Sequence, residues 1–163
     1  MPVRIRAATA NDIPNLAALQ VEINDFHVAA LPHIFRRVGA DAQTEAFLRP
    51  LVYGEGTYLF VAEESGHLAG YVALRLVDAP DTPIHVPRRW VSIDTVVVAQ
   101  ACRRRGVGAM LVEHVHSWAK DRGVDYVDLT VFEFNDAAKA FYEKLGYFTV
   151  SRRMGRVLSD PND

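Results

Sequence analysis

Arg103-Arg104-Arg105-Gly106-Val107-Gly108-Ala109 stands between an apolar run, Val96-Val97-Val98, and an amphipathic run with Val107, Leu111, Val115 and Trp118 at helical spacing. The stretch therefore reads as the turn from a strand into a helix. The first helical N–H groups have no partner within the helix, and glycines let the backbone close around an anion, so this turn is a candidate phosphate cradle. Three arginines beside it supply countercharge.

Working outward, the alternation at 3–8 predicts a strand. A helix follows, with Asn11 as its cap, Asp12 in its positive first turn, Pro14 where early N–H groups are unpaired, and Ile13, Leu16, Leu19 and Ile23 on its apolar side. A second helix is expected over 41–53, stopped by Gly54, with a less regular stretch from Phe26 to Phe35 between the two. Strand-like runs at 57–63 and 68–77 flank Glu64-Ser65-Gly66, a hairpin signal. Strands are also expected over 90–98, 124–131 and 147–157, and helices from 107 to Gly123 and over 135–145. The order β-α-α-β-β-β-α-β-α-β describes an α/β protein with helices on a mixed sheet.

At 163 residues, with half of them hydrophobic and a formal net charge of −2, the chain is expected to form a single domain spanning 1–163. No apolar stretch suggests a membrane span, and no broad basic surface suggests nucleic acid. Met1-Pro2-Val3-Arg4-Ile5-Arg6 lacks a signal-peptide core and Cys102 is the lone cysteine, so a reducing, cytoplasmic setting is expected. His114 and His116 lie two apart on a helix and face different ways, so no metal pair is expected.

The identity of the anion can be narrowed. A Walker loop needs a lysine and a hydroxyl after its second glycine, and neither is here. Gly106-Val107-Gly108 could begin a dinucleotide fingerprint, with Asp128 as a ribose ligand, but Leu111 holds the third glycine position and the preceding strands look antiparallel.

Arg103-x-x-Gly106-x-Gly108 resembles the first signature of the GCN5-related N-acetyltransferases, the GNAT family. The segment Asn135-Asp136-Ala137-Ala138-Lys139-Ala140-Phe141-Tyr142-Glu143-Lys144-Leu145-Gly146-Tyr147 is similar to the second. The element order is similar to the family fold over nearly the whole chain. The resemblance implies an acetyl-CoA site, with the pyrophosphate on backbone N–H groups of Arg104, Arg105, Gly106, Val107, Gly108 and Ala109. It also implies that Val96 and Val98 lie where a splayed strand binds the pantetheine arm, although all three valines can equally be core. The acetyl group would pass directly to a primary amine in a ternary complex.

Such a transfer needs a neutral amine, an oxyanion donor and a proton for the departing thiolate. Asp94 interrupts an apolar strand just before the cradle and is the candidate base. Strand alternation would put it on one side with Val96 and Val98. Tyr142, a phenol protonated at neutral pH, is the candidate acid. Asn135, two helical turns earlier, is both a cap and a candidate ligand. Lys139 and Lys144 could meet nucleotide phosphates or simply be solvated.

By analogy with the family, Phe26, His27, His33, Phe35 and Tyr53 would shape the acceptor pocket. The acceptor would be a small-molecule or peptide amine, and dimers are common among similar proteins, so a homodimer is one assembly the resemblance allows. The competing readings are a noncatalytic CoA-binding module and, less favoured, nucleic-acid binding through the three arginines.

Overall fold

The computed structural model describes residues 2–158. The chain divides into two compact units, Met1–Thr130 and Val131–Asp163.

The first unit carries a five-stranded mixed sheet in chain order: β1 (Arg4–Ala7), β2 (Thr57–Glu64), β3 (His67–Asp78), β4 (Arg89–Val98) and β5 (Val127–Leu129). The pairings are antiparallel up to β4, and β4 runs parallel to β5. The expected hairpin joins β2 to β3 through Ser65 and Gly66, whose φ values of 53° and 80° suit a two-residue turn matched to strand twist.

Helices α1 (Ile13–Ala30) and α2 (Ala42–Tyr53) cover one face, where Leu16, Ala17, Leu19 and Leu48 pack with Leu59, Val61, Tyr71, Ala73 and Val97. Asp41 caps α2 by accepting from the N–H groups of Gln43 and Thr44 at 3.0 and 3.1 Å. Helix α3 (Val107–Lys120) covers the opposite face and buries Val107, Leu111, Val112 and Val115. Its Trp118 ring lies 4.5 Å from that of Tyr58 and 6.1 Å from that of Phe60.

A bulge overturns the expected alternation of β4. Its register steps from Ala73↔Thr95 to Leu74↔Ile93, leaving Asp94 as the extra residue. Val91 and Ile93 therefore share the α3 face with Val96 and Val98, Val97 points to α1, and Asp94 is outside the alternation instead of in line with the valines.

Local chemistry accounts for three other differences. The α1 entrance is closed by Thr9 and Asp12, not Asn11: the Asp12 carboxylate accepts from the Thr9 N–H at 2.7 Å. The helix runs on to Ala30 and takes in Phe26 and His27. Strand β5 starts late because Val124 closes the end of α3, donating its N–H to Ala119 O at 3.0 Å after Gly123 turns at φ 69°.

The second unit carries α4 (Asp136–Lys144), capped by Asn135 as expected. The strand predicted over 147–157 does not form among the described residues. A strand needs a ladder partner, and the described residues after Gly146 form no ladder, with Phe148, Val150 and Met154 exposed.

Candidate active site

Strand β4 leads through a 3-10 turn (Gln100–Cys102) into the arginine-glycine loop. Gly106, at φ 83°, is the residue before α3, and no side chain caps the helix there. The N–H groups of Val107, Gly108 and Ala109 thus point out of an uncapped helix end, the geometry an anion needs. Arg104 is held at φ 60°, a left-handed conformation uncommon for a side chain of its size.

The three arginines are not equivalent. Arg103 Nε donates to Val98 O at 3.2 Å, and Arg105 Nη2 pairs with Glu64 Oε1. Arg104 has no partner among the described residues. The loop is also tied to α1, because Glu22 accepts from the Gln100 N–H at 3.0 Å. Glu22 lies in a cleft of about 240 Å³ lined also by Asn15, His67, Leu68 and Ala99.

Beside the loop, the β4–β5 ladder ends at Ile93↔Leu129, whereas β4 continues to Val98. Val96 and Val98 lie in this continuation, which has no β5 partner.

Asp94 is held by Arg75 of β3. Arg75 Nε donates to Oδ1 at 3.0 Å and to Oδ2 at 2.8 Å, and Nη2 donates to Oδ1 at 2.8 Å. The Asp94 carboxylate, and beyond it Asp128, hold the guanidinium more firmly protonated than an ordinary arginine. Sequence reading missed Arg75, although a signal existed: each of two adjacent apolar runs, LAGYVALRLV and WVSIDTVVV, is broken by one charge, and the charges are opposite.

In the second unit, the Tyr142 ring meets Phe141 and Tyr147 edge-on at 5.0 and 5.6 Å. Burial pushes its phenol up to about 12, so its acidity is weaker than the ordinary phenol expected from sequence. Asn135 Oδ1 accepts from the Ala138 N–H at 3.0 Å, its capping role. Lys139 Nζ is engaged by Asp136 Oδ1 at 3.0 Å and Glu133 O at 2.7 Å.

Of the acceptor candidates, the fold brings Phe26, His27 and Phe35 together. The His27 ring is 5.7 Å from Phe26 and 4.9 Å from Phe35, and its Nδ1 lies 2.8 Å from Ile23 O. His33 is exposed in the turn that follows α1, and Tyr53 is exposed at the end of α2. On α3, burial lowers the basicity of His114 and His116, and the His114 ring packs 4.6 Å from Phe60.

The profile of the Acetyltransferase (GNAT) family matches residues 21–147, from α1 through the loop, β5 and α4. The chain belongs to the GNAT family. Among curated relatives, the 5-NmdU N-acetyltransferase of Pseudomonas phage PaMx11 is 29% identical over 110 residues, spanning 67% of this chain and 69% of the phage protein. The solved structure of a tetramutant of the BH1408 protein from Bacillus halodurans is 29% identical with a TM-score of 0.89, covering 95% of this chain and 99% of that one. Aminoglycoside N-acetyltransferase AAC(6')-Iy, solved in complex with CoA, shares the fold at 17% identity and a TM-score of 0.73, covering 96% of this chain and 94% of that one. The GNAT fold thus accounts for the mixed sheet and for the loop at the head of α3.

Proposed function

We propose that this GNAT protein is a single catalytic domain that moves the acetyl group of acetyl-CoA directly to a primary amine in a ternary complex. The observation that carries this reading is the uncapped start of α3 lying beside the stretch of β4 that β5 does not pair. The fit is good: Val107, Gly108 and Ala109 offer N–H groups at a helix N-terminus, Gly106 supplies the left-handed turn, and Arg104 is uncommitted. Arg103 and Arg105 line the same loop. Main-chain groups of Val96 and Val98 would hold the pantetheine arm, and Asn135 would add a polar contact. Acetyl-CoA supplies the thioester-activated acetyl group when bound.

Asp94 accepts the amine proton, directly or through water. A backbone N–H from the unpaired part of β4 polarises the acetyl carbonyl. The Tyr142 hydroxyl gives its proton to the departing thiolate. With the phenol near 12 it carries that proton throughout the neutral range, at the cost of being a weaker donor. Phe26, His27 and Phe35 form the apolar and aromatic side of the acceptor pocket, with His33 at its rim. The amine class is a small molecule or a peptide terminus in a reducing cytoplasm, and the aminoglycoside and 5-NmdU relatives suggest where a search should begin.

The test is release of free CoA thiol on mixing the protein with acetyl-CoA and a panel of amines: kanamycin, spermidine, peptide N-termini and aminomethyl nucleosides. Turnover with a mass gain of one acetyl group on the amine supports the reading. Saturable acetyl-CoA binding with no thiol release from any amine overturns it in favour of a binding module.

A further inference from the structure

Arg75 and Asp94 are on neighbouring strands but are not opposite one another, because the bulge leaves Asp94 outside the ladder. The guanidinium bridges that offset with both Nε and Nη2. A carboxylate oxygen offers two lone pairs. Oδ1 receives two donors, whereas Oδ2 receives one bond from the shared Nε hydrogen and keeps a lone pair in hand. The planar fork also stops the carboxylate from rotating. Along the same face, Arg75 pairs with Ser92, and Ser92 pairs with Asp128 of β5. One guanidinium thus stands in the field of two carboxylates, gripping Asp94 and attracted by Asp128.

We infer that Arg75 is a positioning residue that presents Asp94 Oδ2 to the incoming amine, and that Asp128 balances the guanidinium once Asp94 has taken the proton. This rests on Asp94 as the base. In the step, an N–H bond of the nucleophile breaks, an O–H bond forms at Oδ2, and the N–H electron pair stays on nitrogen. Asp94 changes from anion to neutral acid, and nothing is oxidised or reduced. Arg75 keeps its charge throughout, and Asp128 is the anion that then faces it. A lysine at position 75 would keep the charge but lose the fork.

Steady-state thiol release from acetyl-CoA, with kanamycin and spermidine as probe amines, tests this in Asp94→Asn, Arg75→Met, Arg75→Lys, Asp128→Asn and the Arg75→Met/Asp94→Asn double variant. Asp94→Asn should lower kcat by about 100-fold or more. Arg75→Met should lower kcat by roughly 10-fold, with KM for acetyl-CoA within about 2-fold and little change in Tm, since the pair is partly solvated. Arg75→Lys should recover part of the loss, and Asp128→Asn should cost roughly 3-fold. In the Asp94→Asn background, Arg75→Met should have no further effect. Full activity of Arg75→Met beside an impaired Asp94→Asn, losses that multiply in the double variant, or an effect of Arg75→Met on the amine KM alone would overturn the positioning role while leaving the base intact. Full activity of Asp94→Asn would overturn the base and this inference together, as would the absence of thiol release with every amine.

Discussion

Arg6 grips both oxygens of Asp12, with Nη1 on Oδ2 at 2.8 Å and Nη2 on Oδ1 at 2.9 Å, and so joins β1 to the entrance of α1. Nε of the same arginine reaches Glu63 of β2 at 2.7 Å. The Arg6 guanidinium, with help from Thr9, holds the Asp12 carboxyl down at about 2. A depressed carboxyl stabilises the fold fully above its unfolded value of about 4, and the contribution is lost as pH falls through about 2. Asp12→Ala should cost about 2–3 kcal/mol at neutral pH, lowering Tm by roughly 5–10 °C. Acid titration followed by circular dichroism should show a shallower loss between about pH 4 and 2 in the variant than in the parent.

Gly70 faces β4 so closely that a Cβ there would lie 2.4 Å from Val97 O and 3.2 Å from the Val98 Cα. Gly70→Ala must push β3 and β4 apart, so it should destabilise by roughly 3 kcal/mol or more and weaken acetyl-CoA binding through Val98. Gly66→Ala makes the contrast, since nothing lies within 4 Å and only its φ of 80° resists, costing about 1 kcal/mol with binding unchanged. Thermal melts and acetyl-CoA titrations of the two variants check this.

The partners of the loop arginines set an order for acetyl-CoA affinity. Arg104→Ala should weaken binding by about 10-fold, because an uncommitted guanidinium can turn wholly to a phosphate. Arg105→Ala should weaken it less, because its side chain is spent on Glu64. Calorimetric titration with CoA measures both, and equal losses would contradict the ranking.

Tyr142→Phe should lower kcat by about 100-fold while leaving the dissociation constant for acetyl-CoA within about 2-fold. With the phenol pushed up to about 12, its ionisation should leave activity intact through the region near 10 where an ordinary tyrosine titrates. A pH profile of kcat in parent and variant tests this: an alkaline limb near 10 that vanishes in Tyr142→Phe would contradict the burial effect.

Much of the fold was legible because its punctuation is local. Asp41 and Asn135 cap their helices within three residues, Gly123 ends α3, and Ser65-Gly66 turns the hairpin. What was misread depended on distant chain. The strand expected at 147–157 has suitable alternation but forms no strand ladder among the described residues, and alternation cannot report whether a neighbouring strand is there. The extension of α1 to Ala30 brought Phe26 and His27 onto a helix, and only the returning chain placed Phe35 against His27.

The loop proposed to hold the donor was legible in the sequence, because its parts are consecutive: a glycine at positive φ, a helix start and its N–H groups lie within a few residues of one another. The surroundings of Asp94 were decided only by tertiary structure. Whether Asp94 aligns with Val96 or stands in a bulge, and whether Arg75 can reach it, depends on the β3–β4 register, which is set by the pairing and burial of whole strands. The setting of Asp94 therefore belongs to the register, and the shape of the arginine-glycine loop to its own consecutive residues.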